Sequence, residues 1–254
     1  DSPSSSLVKM YLSGEFGENA KEISPYIAST FFAADRYATY KKELENYISG
    51  HLPNKEWYES HFYPFIENKS LRDRLIVEFI NARKIYKFFE GLQASDELLL
   101  AQIKTQVIMY VSIQEAVVNY LLFELFEETN TVKNLLFQER LVKIGIPGHK
   151  LEKIAKELEH DKKDIIPCYN KVQAVDKTKI RYEQKVAALL ELNLISKGLA
   201  DDLVKLYEYR NTVHIEAEMK KKLVYDLSMG ELAYRRVEGL SIEVSNALEK
   251  LEST

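Results

Sequence analysis

A single cysteine, Cys168, in 254 residues excludes an intrachain disulfide and a multi-thiolate metal site, and fits a reducing compartment. Nine glycines and six prolines are few for this length. Strands joined by tight turns need many of both and helices need few, so the composition points to an all-α chain. No apolar run reaches the roughly 18–20 residues of a membrane span. The best candidate, Leu98 to Val111, is interrupted by Gln102, Lys104 and Gln106. Neither charge dominates, with 35 Lys and Arg against 39 Asp and Glu and a net charge of −4. The whole chain therefore does not coat a polyanion, and any nucleic-acid contact has to come from a local basic surface. The sequence also has no Gly-rich phosphate loop, nucleophile elbow, Cys-x-x-Cys pair or His-Glu-x-x-His, which removes the usual nucleotide hydrolases and metalloproteases.

An apolar share of 46% with 29% charged residues is the balance of a globular chain with a sizeable core, and excludes a disordered or collagen-like one. The start, Asp1-Ser-Pro-Ser-Ser-Ser6, has no apolar signal region and reads as a flexible or trimmed end. Helical spacing runs over 23–49 and is broken by Gly50-His-Leu-Pro53, after which an aromatic segment holds Trp57, Tyr58, Phe62, Tyr63 and Phe65. A second helix is predicted over 70–89 with Gly91 as its stop, and a third from Ser95 to about Glu128. The stripe of that third helix is Leu99, Ile103, Val107, Tyr110, Ile113, Val117, Tyr120, Leu121 and Leu125, the pattern of a central bundle helix. Further helices are predicted over 130–144, 151–158, 179–195, 200–224 and 230–251, with Ile165 to Tyr169 as a connection. The natural cut falls between Gly91 and Ser95, giving an N-terminal helical region (1–94) and a C-terminal helical domain (95–254) that can share a core.

The most informative stretch is Leu203-Val-Lys-Leu-Tyr-Glu-Tyr-Arg210-Asn211-Thr-Val-His214. On one continuous helix Arg210 and His214 lie one turn apart on one face, within the stripe Leu203, Leu206, Arg210, Val213, Ala217. An arginine in an apolar stripe costs free energy unless it is paired or opens on a cleft, so the conflict marks a candidate site. A guanidinium holds phosphate oxygens bidentately and an imidazole moves protons near neutral pH. Together they suffice for metal-independent RNA cleavage.

The run Leu199 to Ile215 resembles the signature helix of the HEPN superfamily (higher eukaryotes and prokaryotes nucleotide-binding domains). The helix around Ser112-Ile-Gln-Glu115-Ala-Val-Val-Asn-Tyr-Leu-Leu122 resembles that fold's early core helix, and the likeness covers about 95–250. It implies an all-α bundle, and an endoribonuclease of a prokaryotic toxin–antitoxin, abortive-infection or CRISPR setting. Such a protein is cytoplasmic, pairs as a homodimer with a composite cleft, and acts on RNA with an antitoxin or other protein as partner. By the same likeness Arg210 binds the scissile phosphate, His214 is the general acid/base, Asn211 orients the site and Glu115 faces it, with no metal and no cofactor. Three residues separate Arg210 from His214 where the superfamily pattern has four to six.

Lys220, Lys221 and Lys222 extend a basic series running from Lys133 to Lys185, which reads as an RNA-tracking surface or as a solvated helical face. His51, His61, His149 and His160 read as packing or surface residues without metal-ligand spacing. Two other classes stay open beside the nuclease. One is a noncatalytic helical module binding a nucleotide or partner protein. The other is a helical adaptor in which Arg210 is merely an interhelical salt bridge.

Overall fold

The structure, a computed structural model, describes residues 3–16, 25–50, 52–158 and 166–253. Its described residues form eleven α-helices and one two-stranded sheet, so the chain is an all-α helical protein. In order these are α1 (Pro3–Leu12), α2 (Pro25–Ser49), α3 (Lys55–His61), α4 (Lys69–Gly91), α5 (Asp96–Tyr120), α6 (Asn130–Leu136), β1 (Phe137–Lys143), α7 (Gly148–Glu157), β2 (Cys168–Ala174), α8 (Tyr182–Glu191), α9 (Lys197–Asn211), α10 (Ile215–Lys221) and α11 (Leu227–Glu252). The N-terminal Ser-rich stretch is helical from Pro3 rather than irregular.

The chain divides into two compact units, 1–110 with 219–234, and 111–218 with 235–254. The first division thus falls at Tyr110, inside α5, rather than at the expected cut near Ala94. In the first unit, Asn54 and Asn68 cap α3 and α4 by accepting from the backbone N–H groups of Trp57 and Leu71. The aromatic segment is a packed corner: Tyr58, Phe62, Tyr63 and Ile66 are buried, and Phe62 lies 4.8 Å from Phe79 of α4. His61 stacks on Trp57 at 4.9 Å. Gly91 lets the end of α4 approach α2, since a Cβ there would stand 2.6 Å from the Leu44 side chain. Beside it the Tyr47 hydroxyl donates to Glu90 at 2.6 Å.

The stripe predicted for α5 is buried from Ile103 to Leu121, and its two ends, Leu99 and Leu125, are not. In contrast to the interrupted run expected at Leu98 to Val111, residues Asp96–Leu125 form a helix long and apolar enough by composition to cross a membrane, and 67% of its most apolar window is buried inside the protein. Its last turn, Leu121–Leu125, is π-helical, with the Phe126 N–H reaching the Leu121 carbonyl at 2.9 Å.

In the second unit one stretch departs from the predicted helix. The segment 130–144 is helical only to Leu136, and Phe137–Lys143 is a strand paired antiparallel with Cys168–Ala174, which the sequence reading took in part for a connection. Phe-Gln-Glu-Arg-Leu-Val-Lys has helix-forming residues, and the cross-strand partner decides against them. Helix α9 presents Leu199, Leu203 and Leu206 to the core of this unit. Its start is fixed by Ser196, whose N–H and Oγ donate to Glu243 at 2.6 and 3.0 Å.

Candidate functional site

The predicted continuous helix over 200–224 is two helices. Helix α9 ends at Asn211, and α10 begins at Ile215. The cause is local. The Thr212 hydroxyl donates to the Tyr209 carbonyl at 2.7 Å, which is the acceptor the Val213 N–H would use in a continuing helix. Val213 bonds instead to the Arg210 carbonyl, 3.3 Å away, and the ladder stops. Arg210 therefore sits in the last turn of α9, and His214 in the bend before α10, where its carbonyl accepts from the Glu218 N–H at 3.0 Å. The two side chains are not one turn apart on a shared helical face. His214 and Asn211 are exposed.

Arg210 is half-buried, with its guanidinium 5.4 Å over the Tyr207 ring. One of its nitrogens stands 3.9 Å from the Glu115 carboxylate of α5, and another donates to Asn211 at 3.4 Å. At 3.9 Å Glu115 supplies charge but takes no hydrogen bond, so most of the guanidinium donors stay available to an anion. With 37% of the Arg210 side chain exposed, those donors are reachable from solvent.

Below Arg210 lies a polar cluster that the sequence reading did not single out. Tyr207 stacks on Tyr182 of α8 with centroids 4.2 Å apart. The Tyr182 hydroxyl is buried and has no hydrogen-bond partner in the structure. Burial pushes both phenols above the ordinary tyrosine range, and the Glu115 charge adds to the effect. Lys185, assigned from sequence to a basic surface, is buried at 5% exposure and donates to Asn119 at 2.8 Å. Asn119 is one helical turn beyond Glu115 on α5. The signal that would have found Lys185 is its place between Tyr182, Val186 and Leu189 in the apolar stripe of α8.

Burial holds the Lys185 amine below the ordinary lysine range, with Glu115 acting against the shift. A lysine whose folded-state pKa lies below its unfolded value costs stability in full below the folded-state pKa. That cost fades as pH rises towards the unfolded value. Lys185→Met is accordingly expected to melt at or above wild type at pH 7, with its advantage shrinking as pH approaches 10; thermal denaturation at both pH values checks this. A variant melting far below wild type at pH 7 would mean that the bond to Asn119 outweighs the desolvation.

The remaining predicted residues are scattered. Lys220 and Lys221 end α10, exposed, and Lys222 follows with φ at +49°. These three belong to the other compact unit from Arg210. His149 is exposed at the start of α7, while His51 and His160 lie outside the described residues. Among the described residues no group of three His, Cys, Asp or Glu side chains is placed to hold a metal ion. No family model, curated protein or solved structure matches this chain.

Proposed function

We propose that this chain is a metal-independent endoribonuclease in which Arg210 binds the scissile phosphate and His214 transfers protons. The observation that supports it best is the half-exposed guanidinium of Arg210. Its charge is balanced by Glu115 without its donors being consumed, and a solvent-exposed imidazole lies four residues on. A plain interhelical salt bridge would instead have a covered, bidentate Arg210.

The chemistry needs only these groups. One His214 takes the proton of the ribose 2′-hydroxyl as its oxygen attacks the adjacent phosphorus. Arg210 stabilises the charge that grows on the phosphorane oxygens. The bond to the 5′-oxygen breaks, and that oxygen receives a proton from the partner's His214 across a composite cleft in a homodimer. The products are a 2′,3′-cyclic phosphate and a 5′-hydroxyl end. Asn211 orients Arg210 through its carbonyl oxygen. The likeness to HEPN proteins supports a cytoplasmic defence or toxin–antitoxin role, with an antitoxin or other protein as partner. No metal or cofactor takes part.

Purified full-length protein incubated with RNA in EDTA tests the proposal. Cleavage that resists the chelator and leaves 2′,3′-cyclic phosphate ends is expected; cleavage only with added Mg²⁺, 5′-phosphate ends, or no cleavage would contradict it. A second reading, a noncatalytic module binding a nucleotide or partner protein, is favoured by the absence of a shared helical face for Arg210 and His214. It expects RNA or nucleotide binding without turnover.

A further inference from the structure

The segment from β1 to β2 has no buried residue among those described between 137 and 174, although it includes a seven-residue antiparallel ladder and the helix α7. A two-stranded ribbon is marginal by itself, and one open on both faces gains little from the core. Its two faces differ in chemistry. The register sets Phe137 opposite Ala174, Glu139 opposite Val172, Leu141 opposite Asn170 and Lys143 opposite Cys168 on one face, where one carboxylate and one ammonium offset each other in net charge. On the other, Gln138 faces Gln173, Arg140 faces Lys171, and Val142 faces Tyr169.

Arg140 opposite Lys171 is an unfavourable arrangement, since like charges directly across a ladder destabilise it. Both are exposed, and neither has an ion-pair partner among the described residues. On one side of this cationic pair stands an amide pair, of which Gln138 already donates to the Leu135 carbonyl at 3.3 Å. On the other stands Tyr169, 47% exposed. Cations spaced for phosphates, an open aromatic ring for stacking and amides for base edges are the three elements by which proteins hold single-stranded RNA.

We infer that this face of the ribbon is a binding arm for single-stranded RNA. The bound strand runs its phosphates past Arg140 and Lys171, stacks a base on Tyr169, and relieves the repulsion between the two facing cations. The inference rests on RNA being the substrate of the proposed nuclease, and supplies that site with a second contact on the same strand.

The test is fluorescence anisotropy with a 2′-O-methyl RNA of about twelve nucleotides, which binds without being cut. The proteins compared are wild type, Arg140→Ala/Lys171→Ala, Tyr169→Ala, and Leu141→Ala on the opposite face. Two lost phosphate contacts on a single strand reduce the salt slope by about 1.4, so the double variant is expected to bind about 25-fold more weakly in 0.1 M salt. Tyr169→Ala is expected to lose roughly fivefold or more, and Leu141→Ala to bind as wild type. Unchanged binding in the double variant, an equal loss in Leu141→Ala, or tighter binding of wild type to duplex DNA than to the single strand would overturn the inference. Cleavage of the unmodified strand is read in parallel. Ribbon-dependent binding without cleavage overturns the nuclease proposal and leaves the arm standing, whereas cleavage with ribbon-independent binding overturns the arm alone.

Discussion

Arg210→Ala and His214→Ala, each made in the full chain, are expected to lose at least about a hundredfold in RNA cleavage while melting within a few degrees of wild type. The lower bound comes from proton transfer by a positioned group, worth about 10²–10⁴ in rate, and from charge stabilisation of similar size. Stability is nearly untouched for a separate reason. The Arg210–Glu115 pair is 3.9 Å long with both side chains about a third exposed. Such a pair contributes at most about 1 kcal/mol, or roughly 2–4 °C in a chain of this size. His214 is exposed, and its removal stays within about 0.5 kcal/mol. Arg210→Lys is expected to rescue little, because an ammonium keeps the charge but loses the fork that grips two phosphate oxygens. Single-turnover cleavage in EDTA together with thermal melts decides the matter. A variant that keeps wild-type cleavage removes that residue from the mechanism, and a large fall in melting temperature would reassign it to the fold.

Leu203→Ala is expected to do the opposite. Leu203 is fully buried on α9 between Leu199 and Leu206, two turns before Arg210. Removing its isobutyl group forfeits transfer free energy and leaves a cavity, together about 2–5 kcal/mol. That is a substantial part of the stability of a typical domain, so the midpoint of chemical denaturation falls clearly. Activity per folded molecule is expected to hold, because the substitution removes none of the groups placed against the phosphate. Denaturation curves alongside initial rates at low temperature check both halves. A Leu203→Ala protein as stable as wild type would mean that α9 is not anchored by its apolar stripe.

The long helices were legible in the sequence because their apolar residues recur at three- and four-residue steps over about five turns, as from Ile103 in α5 to Leu121 just beyond it. Gly91 marks the end of α4 as its stop residue suggests, whereas the Asn68 cap at its start emerges only from the structure. Strand β1 was not legible. Phe137 to Lys143 alternates no more clearly than a helix would, and its partner lies 25 residues beyond its end. The break at Thr212 was hidden as well, since spacing says nothing about a hydroxyl that captures a backbone carbonyl. Of the candidate site, Arg210 stood out as a cation in an apolar stripe, and Glu115 followed only from the family likeness. The structure brings those two within 3.9 Å. Lys185 joined the basic series by charge alone, although its place between Tyr182, Val186 and Leu189 in the apolar stripe of α8 argues for the buried face it occupies.

In the proposed mechanism the RNA supplies its own nucleophile, while Arg210 and His214 supply the phosphate contact and the proton transfers. The most direct measurement uses one oligonucleotide in EDTA, carrying a single 2′-deoxynucleotide on the 5′ side of the bond that wild type cuts. Cleavage at that bond is expected to vanish while neighbouring bonds are cut as before. Unchanged cleavage at the deoxy position would mean that water or a protein group attacks the phosphorus, and the assigned mechanism would be wrong.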